Sequence, residues 1–273
     1  MPRSDAVADL GRAVARYAGY GINPTVLPIL HIATLCNDPD SVAVRPQPQP
    51  QAQASTMNKA TQAELAARIL RQLYPNPRPH LNAASPWQLL VATILSAQCT
   101  DARVNTVTPA LFARWPGPEE TAQAGLDELE DAIRSTGFFR MKARNILQTA
   151  RRIMEVYGGD VPRSLAELVT LPGVARKTAN VTLWGAFGVN EGLAVDTHVA
   201  RISFRLGLTD AQDADKIEQD LLVLFPRAEW GDVNHRMVSF GRDICRARAP
   251  RCDECELLAV CPRRGVDKAR KIR

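Results

Sequence analysis

Residues 171–180 read LPGVARKTAN, a turn containing proline and glycine that delivers the chain into a helix. Ser164 and Glu167 have capping-box spacing ahead of a short apolar run, which predicts another helix before the turn. Arg176 and Lys177 would lie in the first turn of the following helix, where backbone N–H groups are unpaired and the dipole is positive. Two helices joined in this way predict a site that holds the phosphates of a nucleic acid without reading its bases.

Lys177 is the first candidate for chemistry. The positive end of the helix dipole and the neighbouring Arg176 both disfavour its ammonium form. A lysine that is biased toward the free amine can attack an electrophilic carbon and form a Schiff base. The alternative is an ordinary lysine that contacts phosphate, and the helix start alone does not separate the two interpretations.

Asp196 is the second candidate, because it precedes a predicted helix that begins at Thr197. This position is typical of an N-cap whose carboxylate accepts backbone N–H groups and stays ionised. Such a carboxylate can be purely structural. At the mouth of a cleft it can also stabilise positive charge that develops on a sugar ring, or activate a nucleophile.

The segment 171–180, followed by VDTHVAR at residues 195–201, resembles the helix–hairpin–helix segment of the endonuclease III family of DNA glycosylases. An independent pattern, C-x6-C-x2-C-x5-C, is the one that this family uses for a [4Fe–4S] cluster. The resemblance covers roughly residues 59–263. The cysteines of the pattern are Cys245, Cys252, Cys255 and Cys261.

The resemblance implies an all-α protein of two helical domains with a cleft between them. A six-helix barrel that contains the helix–hairpin–helix would cover residues 80–190. An iron–sulfur cluster domain would combine residues 57–79 with 191–265. Lys177 and Asp196 would then face the cleft from opposite sides, which is the usual place for a ligand.

The activity implied by the resemblance is that of a bifunctional DNA glycosylase/AP lyase of base excision repair. Lys177 would displace an oxidised or ring-saturated pyrimidine and form a Schiff base, Asp196 would support the sugar cation, and β-elimination would cut the strand. Adenine glycosylases of the superfamily keep the aspartate and the cluster but lack the lysine, so Lys177 disfavours that monofunctional alternative. A non-catalytic helix–hairpin–helix module that only binds DNA is a further alternative.

Two loops resemble segments that the family inserts into DNA once the nucleotide is extruded. Gln98, within SAQCTD at residues 96–101, matches the glutamine that enters the vacated stack. Phe138 stands where the family places an apolar wedge. The alternatives are a glutamine at a helix end that faces solvent and a phenylalanine that packs on its own domain.

The hairpin contributes Gly173, Ala175 and Arg176 to the expected DNA interface. The family motif usually reads L-P-G-V-G, and Ala175 replaces its second glycine. Because glycine permits positive φ and close approach, this departure leaves the affinity of the hairpin for phosphate open. We expect Ala175 to adopt a helical conformation and to keep its N–H donor.

The cysteine spacing favours an iron–sulfur cluster over other cysteine chemistry. Disulfides are rare in cytosolic proteins, and structural zinc usually takes two C-x2-C pairs, whereas here Cys252 and Cys255 form the single such pair of the motif. The loop between the first two cysteines would present three guanidiniums to phosphate oxygens. These belong to Arg246, Arg248 and Arg251.

Composition supports a nucleic-acid partner. The formal net charge of +5 lies wholly in residues 242–273, which carry ten basic and five acidic side chains. The expected partner is double-stranded DNA with a damaged base or an abasic site, bound by a monomer. No apolar run is long enough to cross a membrane and no secretion signal is evident, so we expect a bacterial cytoplasmic, nucleoid-associated protein.

The ends of the chain are expected to lie outside the folded domains. Residues 1–56 include the low-complexity run PQPQPQAQ, which predicts a disordered extension and linker, and residues 266–273 form a basic tail. From Thr61 onward the pattern is helical, with Thr61, Ser85 and Asp101 as predicted caps. The predicted helices cover residues 61–73, 86–95, 101–112, 126–134, 142–157, 197–205, 213–225 and 230–244.

Overall fold

The computed structural model describes residues 57–266. The regular elements in that range are α-helices and short 3₁₀-helices, with no strand, which confirms the predicted all-α class. The predictions for residues 1–56 and for the tail beyond Val266 lie outside the described residues. The α-helices are α1 Lys59–Leu73, α2 Pro86–Leu95, α3 Asp101–Arg114, α4 Pro118–Ala122, α5 Leu126–Ala132, α6 Phe139–Tyr157, α7 Leu165–Leu168, α8 Arg176–Phe187, α9 Thr197–Arg205, α10 Ala214–Leu224 and α11 Trp230–Asp243.

Helix α2 begins where the sequence predicts. The Ser85 hydroxyl accepts the N–H of Gln88 at 3.2 Å, and Pro86 occupies the first helical position, where its missing N–H costs nothing. Nearly all of its side chains are buried, so this helix lies inside the fold rather than on its surface.

Two predicted caps are wrong. Helix α1 is capped by Asn58, whose side-chain oxygen accepts the N–H of Thr61 at 2.8 Å, so Thr61 lies within the first turn. Helix α3 is capped by Thr100, and Asp101 is its first residue. In both places a second residue type that caps well stands within one turn of the predicted one, and spacing alone does not choose between them.

Helix α6 is longer than predicted at its start. It begins at Phe139 rather than Lys142, directly after Gly137 and Phe138, which both have positive φ. Its end agrees with the prediction, because Gly158 adopts the left-handed conformation that terminates many helices.

Two groups of buried apolar side chains fill the interior. The first is drawn from residues 87–183 and includes Leu90 and Leu183, neither of which is exposed. The second is drawn from α1 and residues 193–260 and includes Val199 and Met237. Within residues 57–266, no helix combines the length and apolar character that a membrane span requires.

Specific contacts join the two groups. Arg242 of α11 pairs with Asp101 of α3 at 2.6 Å. Trp184 of α8 lies so close to Gly231 of α11 that a Cβ atom there would overlap the indole ring. Helices α8 and α11 therefore approach each other at a point where only glycine fits.

Candidate active site and nucleic-acid interface

The hairpin turn is built around Gly173. Its φ is +75°, and a Cβ atom at this position would lie 2.6 Å from Asn145 Nδ2, so both conformation and space require glycine. The Thr149 hydroxyl donates to the Pro172 carbonyl at 2.9 Å and ties the turn to α6. Ser164 caps α7 through the N–H of Glu167 at 3.3 Å, as the capping-box spacing predicts.

Ala175 is the N-cap of α8, with φ −86° and ψ 169°. The expectation that it would be helical is therefore wrong, because the residue is extended. Any L-residue adopts this conformation, so alanine in place of the family's second glycine introduces no backbone strain. Its methyl group cannot accept a hydrogen bond, and the first-turn N–H groups of α8 have no side-chain cap.

The two adjacent cations of the hairpin differ in their surroundings. Arg176 donates Nε to Glu218 Oε2 at 3.0 Å and Nη2 to Oε1 at 3.1 Å, and this hydrogen bonding raises the pKa of Arg176. Lys177 is exposed, and no ion pair within residues 57–266 includes it. Arg176 is therefore paired with the carboxylate of Glu218, whereas Lys177 lies at the surface.

Glu218 is the internal partner, and its side chain is only 4% exposed. Beyond Arg176, its Oε1 accepts Asn180 Nδ2 at 3.2 Å and the backbone N–H of Leu193 at 3.1 Å. The carboxylate thus joins α8, the segment leading to Asp196, and α10. Sequence reasoning missed this residue, although it lies between apolar positions on the buried face of α10.

Asp196 is the N-cap of α9, as predicted. Its Oδ1 accepts the backbone N–H of His198 at 2.8 Å and of Val199 at 2.9 Å. Because both bonds use the same oxygen, the capping role leaves Oδ2 for other contacts. The carboxylate is therefore oriented by the backbone of its own helix.

Three imidazoles lie near Asp196. Burial lowers the pKa of His80, His198 and His235, and for His235 the value falls to about 4. The ring of His235 stacks on Trp184 with centroids 4.4 Å apart. Sequence reasoning gave none of the three a role. His80 and His235 belong to no local motif, and His198 lies within the VDTHVAR segment.

Gln98 and Phe138 both stand at exposed left-handed turns. Gln98 has φ 51° and Phe138 has φ 47°, which is uncommon for residues other than glycine. Phe138 is 61% exposed, whereas the next residue, Phe139, packs against the first core. The structure therefore does not support the alternative in which Phe138 packs on its own domain.

The four motif cysteines line one cavity. Burial raises the pKa of Cys252, Cys255 and Cys261, to about 12 for Cys255, so thiolates here need a positive partner. Arg205 Nη1 donates to Cys245 Sγ at 3.3 Å. No three His, Cys, Asp or Glu side chains within residues 57–266 converge on a single-ion site.

The arginine loop between the first two cysteines is partly tied down. Arg251 pairs with Asp243 at 2.6 Å and with Glu254 at 3.2 Å. Arg246 donates Nε to the carbonyls of residues 242 and 243, at 3.3 and 3.0 Å, and Arg248 is exposed. The acidic partners of Arg251 were not anticipated from the sequence.

Comparisons with known proteins identify relatives of this chain. Residues 91–227 match the family model HhH-GPD, described as a superfamily of base excision DNA repair proteins. Endonuclease III of Synechocystis sp. is 52% identical over 208 residues, which span 76% of this chain and 94% of that relative. Endonuclease III of Bacillus subtilis is 44% identical over 211 residues, which span 77% of this chain and 95% of that relative.

Solved structures extend the similarity to three dimensions. A non-covalent endonuclease III–DNA complex and a trapped endonuclease III–DNA covalent intermediate each give a TM-score of 0.72 at 43% identity. Each covers 76% of this chain and 97% of the solved chain.

Replacing Glu218 with glutamine should weaken the fold. The amide keeps the volume but loses the charge that pairs with Arg176. With its oxygen at the Oε1 position, its NH₂ group would face the Nε–H donor of Arg176. We expect a loss of about 1–3 kcal/mol in the free energy of unfolding, since Arg176 is partly exposed and water can compensate in part. Chemical denaturation measures this loss. Asp131→Asn, which breaks an exposed pair with Arg134, is the control and should cost less than about 1 kcal/mol; equal losses would contradict the assignment.

Proposed function

The chain belongs to the endonuclease III family of base excision repair DNA glycosylase/AP lyases, and from this membership we propose that Lys177 and Asp196 carry the chemistry. Lys177 is exposed at the start of α8, while its neighbour Arg176 is held by Glu218. That difference is the observation on which the assignment of the nucleophile rests. The solved DNA adduct of a 43% identical relative supports a covalent route.

In the proposed reaction, Lys177 Nζ forms a bond to C1′ of an extruded nucleotide while the bond from C1′ to the base breaks. The base leaves with the electron pair of that bond, and the Asp196 carboxylate stabilises positive charge on the sugar. The departing base takes up a proton that the amine releases. The C1′–O4′ bond then breaks as the nitrogen lone pair forms the C=N bond, and O4′ takes up a proton. The protonated Schiff base that results acidifies the C2′ proton. Loss of that proton and expulsion of the 3′ phosphate oxygen cut the strand by β-elimination.

We further propose how the protein holds its substrate. The uncapped N–H groups at the start of α8 bind a phosphate, with Gly173 allowing the close approach of the turn. Gln98 and Phe138 enter the stack from their exposed turns, and Arg246, Arg248 and Arg251 face the backbone. The substrate is double-stranded DNA that contains an oxidised or ring-saturated pyrimidine or an abasic site. We propose that a monomer binds it.

The two groups of buried side chains support the proposed division into two domains. A barrel at residues 80–190 would be organised around the first core, and a domain of residues 57–79 and 191–265 around the second. Lys177 would belong to the first and Asp196 to the second. The contacts between α8 and α11 would then set how the two domains face each other.

The cysteine cavity suits the [4Fe–4S] cluster that the family resemblance implies. Its four thiols line a cavity and do not converge on a single-ion site. The other walls of the cavity include Ile202, Leu206 and Phe240. We propose Cys245, Cys252, Cys255 and Cys261 as the ligands, with Arg205 placing positive charge next to Cys245. When bound, the cluster supplies structural cross-linking that fixes the arginine loop.

Borohydride trapping on a duplex that contains thymine glycol tests the nucleophile. The wild-type protein should form a covalent complex, and Lys177→Gln should form none, because the amide cannot make a Schiff base. Lys216→Gln, which alters another exposed lysine, should trap like the wild type. A complex that survives Lys177→Gln would overturn the assignment.

The Asp196→Asn substitution distinguishes the capping role of Asp196 from the catalytic role of its negative charge. The asparagine oxygen can still accept the N–H groups of His198 and Val199, so the fold should persist. Base release under single-turnover conditions should fall by about a hundredfold, because the sugar cation loses its counter-charge. An unchanged rate in a folded variant would remove Asp196 from the chemistry.

Metal analysis tests the cluster. The purified protein should contain about four iron atoms per chain and show visible charge-transfer absorbance. Cys255→Ser should lose iron, whereas Cys99→Ser should retain it, because Cys99 packs against the first core rather than at the cavity. Stoichiometric zinc in place of iron would contradict the proposal.

A further inference from the structure

Lys142 of α6 is a buried lysine that the reaction described above does not use. It is only 3% exposed, and burial lowers its pKa. No carboxylate within residues 57–266 forms an ion pair with it. Its Nζ instead donates to two backbone carbonyls, of Leu95 and of Thr136, each at 2.8 Å. A buried amine without an acid is costly, so its two hydrogen bonds have to account for its position.

The two carbonyls lie just before the turns that carry Gln98 and Phe138. Leu95 ends α2, three residues before Gln98, and Thr136 ends a short 3₁₀-helix, two residues before Phe138. Gln98 and Phe138 are two of the four residues other than glycine with positive φ in the described range. Such conformations cost of order 1 kcal/mol each and persist only where the surroundings hold them.

The other hydrogen bonds of these turns are local. The N–H of Cys99 bonds to the Ser96 carbonyl at 3.1 Å, and the Ser96 hydroxyl bonds to the Thr93 carbonyl at 2.8 Å. The Thr136 hydroxyl bonds to the Ile133 carbonyl at 2.8 Å. None of these bonds reaches from one turn to the other. Lys142 does, since an amine nitrogen has enough N–H donors for both carbonyls whether it is charged or neutral.

We propose that Lys142 is a positioning residue that ties the Gln98 turn to the Phe138 turn, so that both side chains enter the DNA as one unit. This inference rests on the proposed function, in which Gln98 and Phe138 fill the space left by the extruded nucleotide. Its physical content is a coupling. A displacement of one turn moves Lys142 Nζ and so weakens its hydrogen bond to the carbonyl at the start of the other turn.

A double-mutant cycle carried out in two backgrounds tests the coupling. Single-turnover rates of base release from a duplex with thymine glycol are measured for Gln98→Ala, Phe138→Ala and the double variant. With Lys142 present, the loss in the double variant should differ from the product of the single losses by about fivefold or more. With Lys142→Met, whose side chain is one atom shorter, unbranched and without a donor, the loss in the double variant should equal the product of the single losses within about twofold.

Ile153→Val is the control background, because it trims another fully buried residue of α6 that contacts neither carbonyl. It should keep the coupling despite the loss of stability that trimming a buried side chain causes. If Lys142→Met does not fold, Lys142→Gln takes its place. The amide also has two N–H donors, but its nitrogen lies one bond closer to the backbone than that of lysine and cannot reach both carbonyls in the same geometry. The coupling should therefore again disappear.

The outcomes separate this inference from the proposed function. If both single substitutions slow base release and the coupling persists without Lys142, the inference about Lys142 is overturned and the insertion role stands. If neither single substitution changes the rate, the insertion role fails and the role of Lys142 fails with it.

Discussion

The geometry of the site depends on one buried carboxylate, that of Glu218. It receives the guanidinium of Arg176, the amide of Asn180 and the N–H of Leu193, so a single charge on α10 orders groups from two other segments. Two of those groups belong to the helix that starts at the hairpin, and the third lies in the segment that leads to Asp196. A carboxylate with this many donors is fixed in orientation. The positions of the proposed nucleophile and of its counter-charge therefore share one anchor.

Local features of this fold could be read from the sequence, and distant contacts could not. The cap at Ser85, the cap at Asp196 and the helix end at Gly158 each depend on residues within one turn, and each matched the expectation. The errors at Thr61 and Asp101 arose where neighbouring residues compete for the same capping role. The motifs supplied the candidates of the site in the same way, because they too are short patterns.

The sequence did not reveal the interaction partners of its buried or paired charged residues. Arg176 was expected to face DNA, yet its acidic partner lies 42 residues further along the chain. Lys142 reaches a carbonyl 47 residues away. A usable signal did exist, because Lys142 and Glu218 both occupy positions that the helical period assigns to the apolar face. A charged residue on such a face predicts a buried polar contact, although not the identity of the partner.

The left-handed backbone at Phe138 has a consequence for how the protein meets its ligand. Its exposed ring stands on a turn whose shape is already set before any encounter, with Gly137 before it and α6 directly after. A preorganised tip of this kind loses little conformational entropy on association, because the ordering took place when the chain folded. The Phe138 turn would then bind as a preformed rigid element. The binding affinity at this edge of the molecule would depend on how strongly the fold stabilises the conformation of that turn.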